Sequence, residues 1–288
     1  MLINAEKIRN QVLEFLLFGT PVQKNDFRWD ISANWTMNRG TIVELVDGID
    51  NFIIGGSDVN GGNVQATVGG RMGYIYGKGY LRSPEGDIIY RNGLAQTGNE
   101  VIKLGNYNPD WIAGLSSTIS YKFLNASILM DYHHGGEMVS RTTTLLYRTG
   151  LSAETEYRPA TGIVGDGVVE NIDGTYSPNT TNVSLQNYWR ALKGDEENIE
   201  ANTYDASYFK IREISLGVDF GQIYKSNFLK DLQLSAFVSN VFIRTNSPDL
   251  RHIDPENMAI NGGTLVPGFE YTSIPSTRNY GVNLRFKF

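Results

Sequence analysis

The sequence predicts an all-β fold in which antiparallel strands form part of a transmembrane β-barrel wall. Three observations predict it. Apolar and polar residues alternate with period two in six separate segments. The connections between those segments are alternately short and long. No run approaches the ~18 uninterrupted apolar residues that a membrane-crossing helix needs. Period two puts successive side chains on opposite faces, so one face can meet hydrocarbon while the other meets water. A chain with 41% hydrophobic residues and a mean hydropathy of -0.27 is therefore compatible with a membrane wall.

Taken in chain order, a ragged strand is expected around Ala5–Phe18. In the next, Phe27, Trp29, Ile31, Ala33, Trp35 and Met37 alternate with Arg28, Asp30, Ser32, Asn34, Thr36 and Asn38. Trp111–Tyr121, Ala126–Tyr132, Ile214–Phe220 and Leu232–Val238 repeat the pattern. In the last strand Tyr280, Val282, Leu284, Phe286 and Phe288 oppose Gly281, Asn283, Arg285 and Lys287. Short connections are expected at Gly19–Asn25, Phe123–Asn125 and Gln222–Asp231, and long ones at Arg39–Pro109, His133–Tyr204 and Arg244–Arg278. That asymmetry suits an outer-membrane barrel, with tight periplasmic turns and long extracellular loops. Structureless loops of such length are out of place in a compact soluble domain. Within the second long loop, Met138–Thr149 and Ser184–Leu192 read as short helices.

Composition narrows the function. A net charge of -6 argues against nucleic acid as a partner. The absence of cysteine removes disulfides, thiolate metal sites and cysteine nucleophiles together. The apolar run Leu13–Phe18 is broken by Glu14 and lacks a cleavage site, so it is not an export signal. Single-chain membrane barrels have an even strand number of at least about eight. Seven strands without an export signal are thus expected to be a piece of a longer chain.

Candidate chemistry is sparse. Asp131, His133, His134 and Glu137 are the densest group of possible metal ligands, and Asp131 and His133 share a strand face. Asp195, Glu196, Glu197 and Glu200 offer oxygens but match no calcium-loop spacing. The glycine-rich stretches Gly69–Gly73 and Gly77–Gly79 invite a phosphate-loop reading, but Gly73 to Lys78 is one residue short of it and no Ser or Thr follows the lysine. The chain is read as non-enzymatic, without cofactor or metal. Loop aromatics such as Tyr147, Tyr157, Tyr176, Tyr188 and Trp189 suit glycan stacking, docking of a lid protein or plain loop packing; their spacing does not separate these uses.

Several strings resemble the C-terminal part of SusC/RagA-type TonB-dependent transporters. They are Asn25–Asp30 leading into Asn34–Asn38, Gly105–Trp111, Ile128–Tyr132 followed by Gly135 and Gly136, Tyr204–Gly217, Ser239–Phe242, Ile253–Glu256, Pro267–Tyr271 and Pro275–Gly281. In order they span nearly the whole chain, with Val12 standing where the family pattern usually has glycine. The resemblance implies that residues 1–288 are the C-terminal portion of a barrel domain of about 22 strands around a plug. The plug and the N-terminal strands would lie outside this sequence. It implies import of glycans or peptides across the outer membrane of Bacteroidetes-type Gram-negative bacteria, with a SusD-like lipoprotein as lid and the TonB complex acting through the plug. It also implies that Tyr280, Gly281, Val282, Leu284, Phe286 and Phe288 form a C-terminal assembly signal. The alternative is a soluble β-sandwich carbohydrate-binding module, which would bury the apolar faces in its interior.

Overall fold

The computed structural model describes residues 7–46, 48–59, 61–223, 231–261 and 264–287. Seven long strands form one antiparallel sheet in chain order: β1 (Lys7–Lys24), β2 (Phe27–Glu44), β3 (Trp111–Tyr121), β4 (Leu124–His134), β5 (Tyr208–Asp219), β6 (Asp231–Thr245) and β7 (Asn279–Lys287). Within this sheet each strand pairs only with its neighbours in the chain, as in an up-and-down meander. Two hairpins close on two residues each: Lys24 faces Phe27 across Asn25–Asp26, and Tyr121 faces Leu124 across Lys122–Phe123. Asn25 and Lys122 adopt the left-handed conformation that tight hairpins call for, with φ of 49° and 50°. The Lys122 N–H donates to the Asp26 carbonyl at 2.9 Å, tying the two turns side by side.

β1 is longer than the pattern suggested, and its turn correspondingly shorter. The ladder slips between Gly19 and Val22, where Pro21 has no N–H to give, and then resumes to Lys24. That slip is why the alternation looked ragged and the strand appeared to stop early. Ala5, Phe288 and the middle of the Gln222–Asp231 turn lie outside the described residues.

Register keeps the two faces chemically distinct. Phe15 faces Trp35, Met130 faces Leu115, Ile128 faces Ile214, Leu216 faces Ala236, and Leu234 faces Leu284. On the opposite face Asp30 and Ser127 each pair with Thr118, Ser127 with Ser215, Ser235 with Asn283, and Gln233 with Arg285. One irregularity reverses the parity of β5. Leu129 faces Glu213 but Met130 faces Ile211, so Arg212 is an extra residue in the strand. Beyond it Phe209 and Ile211 join the apolar face, while Tyr208 and Lys210 turn to the polar one.

The long connections are folded into a cap. Asn51–Val59, Gly62–Thr67, Tyr74–Tyr80 and Thr97–Asn106 form a four-stranded sheet. Glu137–Ser140, Thr203–Asp205 and Phe269–Glu270 form a three-stranded one. Helices α1 (Arg141–Thr149) and α2 (Leu185–Leu192) start at Ser140 and Ser184, whose hydroxyls accept from the N–H groups of Thr143 and Asn187. Met138–Ser140, expected to be helical, is instead a strand, because Met138 pairs with Tyr204 and Val139 with Thr203 and Phe269. The cap, not the wall, holds the hydrophobic core: Val64, Ile75, Val139, Ile199, Val266 and Phe269 cluster there, with a second group of Met138, Tyr204 and Leu250. Among the described residues, buried apolar side chains lie in the long connections or where strands run into them.

Candidate functional site: an exposed apolar belt and a charged seam under the cap

The apolar face of the wall is open. Phe15, Leu17, Leu216 and Val282 are 61%, 67%, 64% and 69% exposed. Water-soluble monomers rarely leave so broad an apolar surface uncovered. Toward the cap the belt ends in a row of rings from four adjacent strands: Phe15 lies 5.7 Å from Trp35, Trp35 6.4 Å from Trp111, and Trp111 5.4 Å from Tyr132. His134 stacks on Trp111 at 4.9 Å, and Phe209 and Phe242 meet at 6.4 Å on β5 and β6. Toward the short turns, Phe27, Trp29, Tyr121 and Phe286 mark a second aromatic margin. From Phe27 to Trp35 is ~27 Å along an extended strand. With the ~40° tilt of a barrel strand this spans about 20 Å of height, close to the ~25 Å apolar band of outer-membrane barrels.

The other face is largely hydrophilic, although Leu16 and Phe18 of β1 and Leu129 of β4 also lie on it. A recess of about 380 Å³ there is lined by Thr118, Asn125, Ser127, Ser215, Gln233, Ser235, Asn283 and Arg285, among others. The Ser127 and Ser215 hydroxyls are 2.6 Å apart. Near the Asn25 turn Arg28 pairs with Asp30 at 2.7 Å, and Thr20 donates to the same carboxylate at 2.6 Å.

Where wall meets cap, the short sequence strings converge. Lys210 of β5 donates to both Asp254 oxygens at 2.8 Å, and Glu256 also accepts from it. Arg212 grips Asp131 of β4 through two bonds at 2.6 and 2.7 Å and reaches Glu256 at 2.7 Å. Ser276 donates to Asp254. Burial by itself raises the Glu256 carboxyl, but hydrogen bonds from Arg212, Lys210 and Tyr208 outweigh it and hold the group well below the usual carboxylate range.

A second junction joins Gly105–Trp111 to the Gly135–Gly136 pair. Both glycines have positive φ, 76° and 86°, which lets the chain turn sharply off β4 against the backbone of Tyr107–Asn108 and the Asp110 side chain. The Gly135 N–H donates to Ser207 at 2.8 Å, and Arg71 binds Asp110 at 2.8 Å and the Pro109 carbonyl at 2.6 Å. Glu137 lies directly against Gly105 and accepts from the Asn106 N–H at 2.6 Å. Burial raises its carboxyl above the ordinary value, more than that hydrogen bond lowers it.

The structure sorts the sequence candidates. Of the four possible metal ligands, His134 turns to the apolar face and Glu137 into the cap, while Asp131 and His133 stay together and are joined by Glu256. The ligand atoms of those three lie within 4.8 Å of one another. Both carboxylates, however, are bound by the Arg212 guanidinium, which a metal ion would have to displace. The acidic run is dispersed among cations: Glu196 pairs with Arg141 and Arg148, Glu197 with Lys78 at 2.6 Å, and Glu200 with Arg82 at 2.6 Å. Lys78 sits on a strand, not at the start of a helix as a phosphate loop requires. Tyr147 is buried and its hydroxyl donates to Glu154 and Asp249, so it serves loop packing; Tyr157 is exposed. Tyr280, Gly281, Val282, Leu284 and Phe286 line up on β7, and Phe288 lies outside the described residues. Sequence reasoning missed the pairing of Lys210 and Arg212 with Asp254 and Glu256. Its only signal was the opposite charge of two short strings.

Comparison with known proteins places this arrangement. No protein-family profile matches the chain. TonB-dependent receptor P3 of Formosa agariphila is 22% identical over 99% of the chain, which covers 29% of that receptor. TonB-dependent receptor SusC of Bacteroides thetaiotaomicron is 24% identical over 88% of the chain, which covers 24% of it. Among solved structures, the RagAB peptide transporter superposes over 97% of the chain with a TM-score of 0.62 at 15% identity. The RagAB peptide importer in its "open-open" state does so over 98% with a TM-score of 0.63 at 13% identity, and the chain covers 29% of each. These likenesses carry the fold. By sequence and fold together the chain is similar to TonB-dependent receptors of the SusC/RagA type, and it spans less than a third of the length of the relatives it matches.

Proposed function

We propose that this chain supplies seven C-terminal wall strands and their extracellular cap to a plugged barrel of about 22 strands in the outer membrane of a Bacteroidetes-type bacterium. The assembled transporter imports glycans or peptides. A SusD-like lipoprotein closes over the cap, and the TonB complex pulls on a plug encoded outside residues 1–288. The observation that carries the reading is the exposed apolar belt bounded by aromatic rows, with a hydrophilic face behind it. The wall contributes a lipid-facing surface and a polar lumen, and the cap contributes the outer mouth. No residue here performs bond chemistry. The soluble β-sandwich reading needs a second layer over the apolar face, and Leu17 and Leu216 are uncovered.

Residues 1–288 hold no cysteine, so none within them competes with an introduced one. Single cysteines at Leu216 and Ser215, introduced in the assembled outer-membrane protein, are treated with a membrane-impermeant maleimide and with a lipid-confined one. The expected result is lipid-side labelling at 216 only and water-side labelling at 215 only. Equal water-side labelling at both positions refutes the proposal.

A further inference from the structure

Between α1 and α2 the cap holds a recess of about 230 Å³, lined by Tyr147, Thr149, Thr155, Arg158, Gln186 and Trp189 among others. It is small beside pockets for drug-sized ligands, and its size suits one ring. Arg158 is fixed at its edge by two backbone carbonyls: Nε donates to Thr155 at 3.3 Å and Nη2 to Gly150 at 3.2 Å. No acidic side chain pairs with it among the described residues. The neighbouring Arg141 and Arg148 share a single carboxylate, Glu196. Arg158, an exposed side chain, thus offers the edge of the recess a guanidinium without a carboxylate partner among the described residues, while the Glu154 and Asp249 carboxylates flank the Tyr147 hydroxyl.

The neutral groups narrow the ligand further. The Thr149 and Thr155 hydroxyls each donate to a backbone carbonyl at 2.6 Å, which leaves their lone pairs to accept. The Trp189 Nε1–H is buried without a partner among the described residues, an unusual state for an indole donor. Acceptors that want hydroxyl donors, an indole wall and a guanidinium without a carboxylate partner call for a ligand with several hydroxyls, a ring and one carboxylate. A peptide terminus supplies the carboxylate but not the hydroxyls.

We propose that this recess binds the uronic-acid residue of an acidic polysaccharide, with the carboxylate on Arg158. The proposal rests on the transporter reading for its location at the outer mouth. The intact outer-membrane protein in detergent is titrated with D-galacturonate, D-galactose and N-acetylalanine by saturation-transfer NMR. Galacturonate is expected to bind more tightly than the other two. Arg158→Gln should weaken it roughly ten- to a hundredfold, the scale of a lost charge-assisted bond. Trp189→Phe should weaken it less, and Tyr157→Ala, on the exposed loop, should leave it unchanged. Unaltered heat-modifiable gel mobility of each variant separates lost binding from lost folding. Binding of galactose or N-acetylalanine as tight as galacturonate, or indifference to Arg158→Gln, overturns the proposal. A failed titration with face-selective labelling intact removes only this inference, whereas failed labelling removes the transporter reading beneath it.

Discussion

Lys210 of β5 and Asp254 of the connection 246–278 form an ion pair at 2.8 Å with their side chains only 7% and 8% exposed, joining wall to cap. Replacing Lys210 by Met strands a buried carboxylate, which typically costs about 3–5 kcal/mol. Hydrogen–deuterium exchange should then rise through residues 246–261 while β3 and β4 stay protected. Adding Asp254→Leu should restore much of the protection, since the uncompensated charge is gone.

The same seam sets a pH response. The folded-state value of Glu256 is depressed below its ordinary 4.5, so its contribution is complete above that value and is lost as pH falls through the lower, folded one. Proteolysis of the connection 246–278 should be flat from neutral pH to about 5 and should accelerate only in stronger acid. Glu256→Gln should raise the neutral-pH rate and flatten the acid limb.

Leu216 and Ser215 are neighbours in sequence on opposite faces of β5. Arginine at 216 should destabilise the membrane-inserted protein by roughly 2–4 kcal/mol, the cost of a cation on the lipid face near mid-depth. Arginine at 215 should change stability little. Urea titration in lipid vesicles, followed by heat-modifiable mobility, measures both.

A Cβ at Gly105 would overlap the Glu137 carboxylate. Gly105→Ala should therefore cost about 1–3 kcal/mol by overpacking. In a Glu137→Ala background the same change should be nearly neutral, and a double-mutant cycle on thermal stability of the cap reports the coupling.

The wall was legible because lipid contact imposes a local rule. Trp111–Tyr121 stands in the structure as the alternation indicated, and the faces of β2, β3 and β4 follow from period two alone. β1 and β5 were blurred where the backbone departs from that rule, at Pro21 and at Arg212. The cap was opaque for a different reason. Its core unites Val64, Val139, Ile199 and Phe269 from all three long connections, and no local period records which distant segments will meet. The seam lay between these cases: Lys210 and Arg212 were visible as cations, but only folding brings Asp254 and Glu256 to them.

The extra residue in β5 has a consequence for how such a wall can change length. Excising Arg212 would leave Ile211 opposite Met130 and Lys210 opposite Asp131, with unbroken alternation and Lys210 still on the polar face; flattening the bulge with every residue retained would instead swing Lys210 out into oil and strip Asp254 of its cation. Away from the bulge, gains and losses along this strand are tolerable only in twos. Any homologous wall that lacks the bulge must find its anchoring lysine one position away.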